Sequence, residues 1–199
     1  MHSAVREETR LTMTVIVRDA TEADFESLTK LDLTYTVGDR YLELERSGST
    51  PELTYSMRWR TGPARERVYD DTLTVDSLRD TLQNRADAFF VAEVDGAISG
   101  YEMIVNQQSH HAAAQITDLA VHRPARRSGA GRALVDAAAT WARDRGLRAV
   151  WASPRGDASD TIDFYLRVGF RVSGLSDRWN TNDDHKSGQQ TIYMYLELG

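Results

Sequence analysis

The strongest constraint on the fold lies between Ala88 and Val121, where the chain reads as three successive strands. Ala88-Phe89-Phe90-Val91-Ala92-Glu93-Val94 has the apolar and aromatic make-up of a buried strand, and Asp95-Gly96 follows as a hairpin turn, since both positions tolerate positive φ. Residues 98–105 return as a second strand, 107–113 form a polar loop, and 115–121 form a third strand, which together make an antiparallel meander. The period then changes. Leu134, Val135, Ala138, Trp141 and Ala142 recur at helical spacing within residues 131–145. A short strand at 149–152, a helix at 161–168 and strands at 169–172 and 191–198 complete the pattern. Such an order predicts an α/β domain with a mixed, largely antiparallel central sheet flanked by helices.

The N-terminal half is less regular. The β-branched run Thr14-Val15-Ile16-Val17-Arg18 predicts a strand. Thr21 and Asp24 then cap an amphipathic helix carrying Phe25, Leu28 and Leu31. Residues 35–69 mix the aromatics Tyr35, Tyr41, Tyr55, Trp59 and Tyr69 with charge and with breaks at Ser47-Gly48-Ser49-Thr50-Pro51 and Thr61-Gly62-Pro63. They read as helical pieces joined by loops, and residues 75–85 as a further helix. Residues 1–12, MHSAVREETRLT, read as a polar tail, with Met13 an alternative start, and residues 13–199 as a single domain. The tail has no apolar core of signal-peptide length, and no stretch approaches the roughly 18 apolar residues of a membrane span. The default expectation is therefore a soluble, cytoplasmic protein.

Charge narrows the function classes. The formal net charge of −6 argues against general nucleic-acid binding, which needs a basic surface. It is unevenly placed, because residues 123–148 hold seven arginines against two aspartates, a local +5 that leaves −11 for the rest of the chain. Cysteine is absent, which removes disulfides, thiolate metal sites and cysteine nucleophiles.

The basic segment begins as Val121-His122-Arg123-Pro124-Ala125-Arg126-Arg127-Ser128-Gly129-Ala130-Gly131-Arg132-Ala133-Leu134, a strand running through a loop with two glycines into a helix. A helix start offers unpaired N–H groups and partial positive charge, and arginine forks add matching donors, so the segment suits a phosphate. It is not a nucleoside-triphosphatase loop, since no lysine follows Gly131. Nor is it a dinucleotide fingerprint, since Leu134 stands at the third glycine position and the element comes late in the chain. Arg-x-x-Gly-x-Gly as a coenzyme A pyrophosphate loop is the remaining phosphate reading, set against a solvated arginine run at a capped helix.

Here the sequence resembles the GNAT family of N-acetyltransferases. Arg126-Arg127-Ser128-Gly129-Ala130-Gly131 matches the family's [RQ]-x-x-G-x-[GA] acetyl-CoA motif, and Phe164-Tyr165-Leu166-Arg167-Val168-Gly169-Phe170 is similar to its second, aromatic-Tyr-x-x-x-Gly-Phe signature. The two motifs stand in the right order, with a strand between them. A more distant similarity, through Ile116-Thr117-Asp118-Leu119-Ala120-Val121 and Ile192-Tyr193-Met194-Tyr195-Leu196, points to streptothricin-type antibiotic acetyltransferases.

The resemblance implies acetyl-CoA as co-substrate, no metal, and direct transfer to a primary amine in a ternary complex. The acceptor it implies is a small cationic metabolite or antibiotic. The other readings are a protein lysine or N-terminal amine as acceptor, and a non-catalytic acyl-CoA sensor. Carried over by motif position, the segment Arg126, Arg127, Ser128, Gly129, Ala130, Gly131 and Arg132 holds the pyrophosphate. Leu119 and Val121 bond the pantetheine arm through their main chains. The family's asparagine at the start of the next helix has no match in Asp157-Ala158-Ser159-Asp160, and Ser159 stands in for it. Tyr165 is the candidate acid for the leaving thiolate, set against a packing role beside Phe164 and Phe170. Asp118 is the first candidate base, ahead of Glu102, with Gln115 and Thr117 as water-orienting neighbours. Tyr69-Asp70-Asp71 and the acids of residues 177–185 are candidates for attracting the amine. Asn180-x-Asn182-x-Asp184 lacks the glycine and glutamate of a calcium loop, and His110-His111 has no partner at metal-ligand spacing. Exposed sheet edges and the aromatic last strand favour a homodimer.

Overall fold

A computed structural model describes residues 13–49, 51–68, 73–107 and 112–199. The polar tail, Tyr69-Asp70-Asp71 and His110-His111 lie outside the described residues. In chain order the elements are β1 (Val15–Asp19), a 3-10 turn (Glu22–Asp24) leading into α1 (Phe25–Leu28), β2 (Thr34–Val37), β3 (Arg40–Ser49), β4 (Glu52–Thr61) and β5 (Arg65–Val68). Next come α2 (Val75–Asp80) with a π-helical extension (Thr81–Arg85), β6 (Ala88–Val94), β7 (Ala97–Asn106) and β8 (Ala113–Val121). A 3-10 turn (Arg123–Ala125), α3 (Ala130–Arg143), β9 (Ala149–Ala152), α4 (Ser159–Arg167), β10 (Arg171–Ser176), α5 (Asp184–Ser187) and β11 (Thr191–Glu197) follow.

Seven strands form the central sheet in the order β1-β6-β7-β8-β9-β11-β10. Among the described residues only β8 and β9 pair in parallel; the crossover that joins them is α3. The expected meander is β6-β7-β8, and its turn uses the left-handed region twice, at Asp95 (φ 50°) and Gly96 (φ 84°).

Helix α3 turns Leu134, Val135, Ala138, Ala139, Trp141 and Ala142 towards the sheet, and its alanines let the helix axis approach closely. All of these but Leu134, which packs with Ala92 and Val94, join Ile104, Ile116, Val150, Ile162, Tyr165, Phe170, Ile192 and Met194 in the main core, on the face that carries α3 and α4. The other face holds a second core of Phe25, Leu28, Leu78, Phe89, Val91, Tyr101 and Met103 under α1 and α2.

The described part of residues 35–69 corrects the sequence reading, because it forms the strands β2 to β5 and no helix. β3 and β4 pair without interruption from Arg40–Thr61 to Ser49–Glu52, and β2 pairs with β5. Tyr41-Leu42-Glu43-Leu44-Glu45 alternates with period two, which buries Leu42 and Leu44 and leaves Glu43 to bind Arg58 (3.3 Å) and Arg60 (2.9 Å) across the ribbon. The breaks at Ser49 and Gly62 are strand ends.

Candidate active site

The parallel pair β8–β9 is short. Its register runs Ala113–Ala149, Ala114–Val150 and Gln115–Trp151 and then stops, while β8 continues to Val121. A bulge explains the divergence. Met103 faces Asp118 and Ile104 faces Ile116, so Thr117 is an extra residue that bends β8, its hydroxyl donating to the Met103 carbonyl at 3.2 Å. On the other side, β9 ends at Ala152 and the chain leaves through Ser153 and Pro154. The fork opens into a cleft of about 700 Å³ floored by residues 116–121 of β8.

One end of the cleft is the arginine–glycine loop. Arg127 (φ 73°) and Gly129 (φ 102°) are both left-handed, and Gly129 is the N-cap of α3. A β-carbon on Gly129 would meet nothing within 4 Å, so the glycine serves the backbone conformation and leaves the space above it clear. Gly131 differs, since a β-carbon there would come within 3.1 Å of the Phe164 ring. The Ala130 amide donates to Ser128 Oγ at 3.2 Å, while those of Gly131 and Arg132 belong to the first helical turn, where no acceptor within the helix exists.

The arginines of the basic segment divide by task. Arg126, Arg127 and Arg132 line the cleft, and none of them forms a salt bridge among the described residues. Partial burial pulls the Arg126 guanidinium below its ordinary pKa, with Asp32 opposing, and its Nε donates to the Val121 carbonyl at 3.2 Å. Arg123 instead pairs with Glu66 at 3.0 Å, and Arg145 lies 4.0 Å over the Trp141 ring.

Tyr165 comes from the α4 side. Its ring packs against Phe164 (5.2 Å between centroids) and Phe170 (4.9 Å), yet the residue lines the cleft. Burial, reinforced by the charges of Glu102 and Asp118, pushes its phenol well above the usual value, so the group stays protonated at neutral pH. Asp118 lines the cleft from the opposite face of the sheet, where Tyr101 donates to its Oδ2 at 3.2 Å. Packing and bonding thus reach the two groups from opposite faces, and the fork gives both access to one cavity.

Glu102 is placed differently. It is fully buried on β7, in register with Phe90 and Leu119, and neither carboxyl oxygen has a hydrogen-bond partner. Burial drives its pKa well above that of an ordinary glutamate, and it does not line the cleft.

Of the remaining expected site residues, Leu119, Val121, Gly129 and Gly131 line the cleft, whereas Ser128 and Ala130 do not. Ala130 is buried beneath the loop, beside Leu134. Ser159 is buried and its hydroxyl donates to Asp39 at 3.1 Å; its neighbours Asp160 and Thr161 face the cleft instead. Tyr35, an aromatic of the segment from Tyr35 to Tyr69 from which the sequence leads one to expect acceptor recognition, also lines it, as does Leu33, which the sequence did not single out. The acids of residues 177–185 are engaged elsewhere. Asp184 is buried, accepting from the amides of Asn180 (2.7 Å) and Thr181 (2.9 Å), while Asp177 faces Arg46 at 3.9 Å and Asp183 faces Lys186 at 2.8 Å.

Comparison with known proteins completes the description. A family model described as "Acetyltransferase (GNAT) family" matches residues 52–170. No curated protein matches the chain significantly by sequence. Among solved structures, nourseothricin acetyltransferase superposes with a TM-score of 0.73 at 24% identity, covering 93% of this chain and 99% of that one. A Bacillus anthracis str. Ames protein assigned as a streptothricin acetyltransferase, in complex with acetyl coenzyme A, gives 0.72 at 19% identity, with 94% and 99% covered. The ribosomal-protein-S18-alanine N-acetyltransferase of Escherichia coli gives 0.58 at 14% identity, with 94% and 95% covered.

Proposed function

We propose that this chain, which belongs to the acetyltransferase (GNAT) family, transfers the acetyl group of acetyl-CoA directly to a primary amine of a small cationic metabolite or antibiotic-like substrate. One observation carries the reading. A single cleft meets the unpaired edge of β8, an arginine-flanked helix start and the Tyr165 phenol. The residues fit the coenzyme's chemistry: open space over a left-handed glycine, amides without acceptors and three arginines without carboxylate partners suit a pyrophosphate. The edge of β8 beyond Gln115 offers main-chain groups to an amide-bearing arm.

Acetyl-CoA supplies the acyl group as an activated thioester. The amine nitrogen attacks the thioester carbonyl carbon, so that a C–N bond forms while the C–S bond breaks and its electron pair leaves on sulfur. Tyr165 gives its proton to that sulfur. Burial raises the basicity of a thiolate as it raises that of the phenol, which keeps the two matched for the transfer. An ammonium sheds two protons on becoming an amide, one before attack and one after, and one of the two restores the Tyr165 phenol. Asp118 is the acceptor that passes the surplus proton to solvent. With no cysteine in the chain, no acyl-thiol intermediate intervenes.

The greater structural similarity to the nourseothricin and streptothricin enzymes than to the ribosomal-protein enzyme supports a small cationic acceptor. The test is thiol release from acetyl-CoA in the presence of streptothricin-class antibiotics, polyamines and lysine-terminated peptides. Turnover confined to small cationic amines is expected. Turnover confined to peptides would move the acceptor to protein, and none with any amine, despite coenzyme binding, would sink the enzyme reading.

A further inference from the structure

We propose that the chain forms a two-fold dimer in which β4 pairs antiparallel with β4 of a second copy, the dyad passing through Ser56. β4 is ten residues long and belongs to a two-stranded sheet with β3, so its outer edge carries no strand among the described residues. A ribbon of two strands is marginal in water on its own, and β3 anchors this one by burying Leu42 and Leu44. Natural sheet edges are usually blunted by lysine, proline or a bulge. β4 has none of these, and its register with β3 is unbroken.

The two faces of the strand differ in kind. Tyr55 (41% exposed), Met57 (38%) and Trp59 (36%) alternate along one face and stay partly exposed, although Arg40 of β3 lies 4.3 Å over the Trp59 ring and Arg46 lies 6.0 Å from the Tyr55 ring centre. The other face carries Glu52, Thr54, Ser56, Arg58 and Arg60. Arg58 and Arg60 already meet Glu43 on β3, whereas Glu52, at the strand's start, has no salt bridge among the described residues.

Self-pairing answers both features. A two-fold axis perpendicular to the sheet keeps like faces together, so it sets residues of the same parity opposite one another. With the axis through Ser56, nine of the ten residues of β4 are paired. Glu52 stands opposite Arg60 of the second copy, and Arg60 opposite its Glu52, so the unpaired acid gains a guanidinium twice over. On the apolar face Leu53 meets Trp59 and Tyr55 meets Met57, again twice. The product is a four-stranded sheet with ion pairs on one face and, on the other, aromatic and aliphatic side chains beside Arg40 and Arg46, in place of two exposed ribbons. Moving the axis to Met57 sets Thr54 opposite Arg60 and Ser56 opposite Arg58, and leaves no acid facing a base; moving it to Tyr55 sets Glu52 opposite Arg58 but pairs only residues 52–58 and leaves Trp59 and Arg60 outside the seam. Strand chemistry therefore selects a second copy of this chain as the occupant of the edge.

The test is the solution mass of the full chain by sedimentation velocity, over a range of micromolar concentrations. The wild type should sediment at twice the 22.4 kDa of one chain. Ser56→Lys puts two like charges opposite each other at the dyad, while within its own ribbon the new ammonium faces Glu45, a favourable pair. It should raise the dissociation constant on the order of tenfold without loss of far-ultraviolet circular dichroism or coenzyme affinity. Glu52→Arg, at the exposed end of the strand, should also weaken the dimer, and adding Arg60→Glu to it should restore association. A monomeric wild type overturns the proposal. So does a dimer that survives both Ser56→Lys and Glu52→Arg undiminished, since it would use another surface.

Discussion

Replacing Glu102 with glutamine should make the stability of the protein less dependent on pH, in a direction set by where the carboxyl sits. The side chain is fully buried among apolar neighbours, and neither oxygen is hydrogen-bonded. Burial pushes the group well above the ordinary glutamate pKa, because ionisation would leave a charge where water cannot solvate it. The unfolded chain releases this proton near pH 4.3. Above that pH, and until the folded carboxyl also ionises, the folded state holds one proton more than the unfolded state. Stability from this group is therefore full at acid pH and falls as pH rises, by up to about 1.4 kcal/mol per unit. Glutamine keeps the shape and the unmet hydrogen-bonding demand but does not titrate. The difference in unfolding free energy between the variant and the wild type should swing towards the variant from pH 4.5 to pH 7.5. The swing reaches about 4 kcal/mol if the carboxyl stays neutral throughout, and is smaller if it ionises on the way. For a chain of this length that corresponds to roughly 8–16 °C in relative melting temperature. Urea titrations followed by the fluorescence of the four tryptophans, at pH 4.5, 6.0 and 7.5, give the measurement. Taking the difference cancels every other titrating group. Parallel stability profiles for the two proteins would refute the reasoning, because a carboxyl that ionises alike in both states contributes no slope.

Two substitutions address the cleft. Tyr165→Phe keeps the ring between Phe164 and Phe170 and removes the proton, so turnover should fall roughly 10²–10⁴-fold while coenzyme affinity stays near the wild-type value; an unchanged rate in steady-state assays would remove Tyr165 from the acid role. Gly129→Val should cost about 1–2 kcal/mol in thermal stability, because φ is 102°, although nothing lies within 4 Å of the new β-carbon. By filling the space over the helix start, it should also weaken coenzyme binding by calorimetry at least tenfold; an affinity that survives would place the pyrophosphate elsewhere.

How much could be read from the sequence depended on whether a signal was local. The meander and α3 were legible because period two and period 3.6 persist over whole elements, and Asp95-Gly96 marked its turn by residue type alone. The ribbon β3–β4 carried a local signal that was outweighed. Leu42 and Leu44 alternate with Glu43 and Glu45, and Tyr55, Met57 and Trp59 with Ser56 and Arg58, but charge density and the breaks at Gly48 and Gly62 suggested short helices. The ion pairs that reward the strand form between residues fifteen or more apart in sequence, Glu43 with Arg58 and Arg60, and no window of one period reveals them. The fork was illegible for the same reason. It depends on the register at which β8 leaves β9 and on the extra residue at Thr117, both properties of pairing rather than of residue type. Ser159 shows the limit for single side chains. Its place in the sequence suggested the coenzyme, while the fold turns its hydroxyl to Asp39, 120 residues away.

The proposed mechanism requires two groups far apart in the sequence to keep a fixed separation: the helix start at Gly129 and the phenol of Tyr165. The packing between α3 and α4 supplies that rigidity. Gly131 has no side chain because the Phe164 ring occupies the place where one would be, and a β-carbon there would come within 3.1 Å of it. Nearby, the Arg132 guanidinium donates to the Arg167 carbonyl at 3.0 Å, which closes the C-terminal end of α4 onto the first turn of α3. Tyr165 lies between these two contacts. The motif glycine at 131 therefore acts through packing, whereas Gly129 acts through its backbone angle, although the two look equivalent in an Arg-x-x-Gly-x-Gly pattern. Of the three guanidiniums on the cleft, Arg132 donates to the Arg167 carbonyl and Arg126 to the Val121 carbonyl, while Arg127 has no hydrogen bond or salt bridge among the described residues. In the proposed mechanism the charge available to a pyrophosphate is local, close to the helix start and dependent on contact. Coenzyme affinity should accordingly depend more on the geometry at Gly129 than on the net charge of the segment.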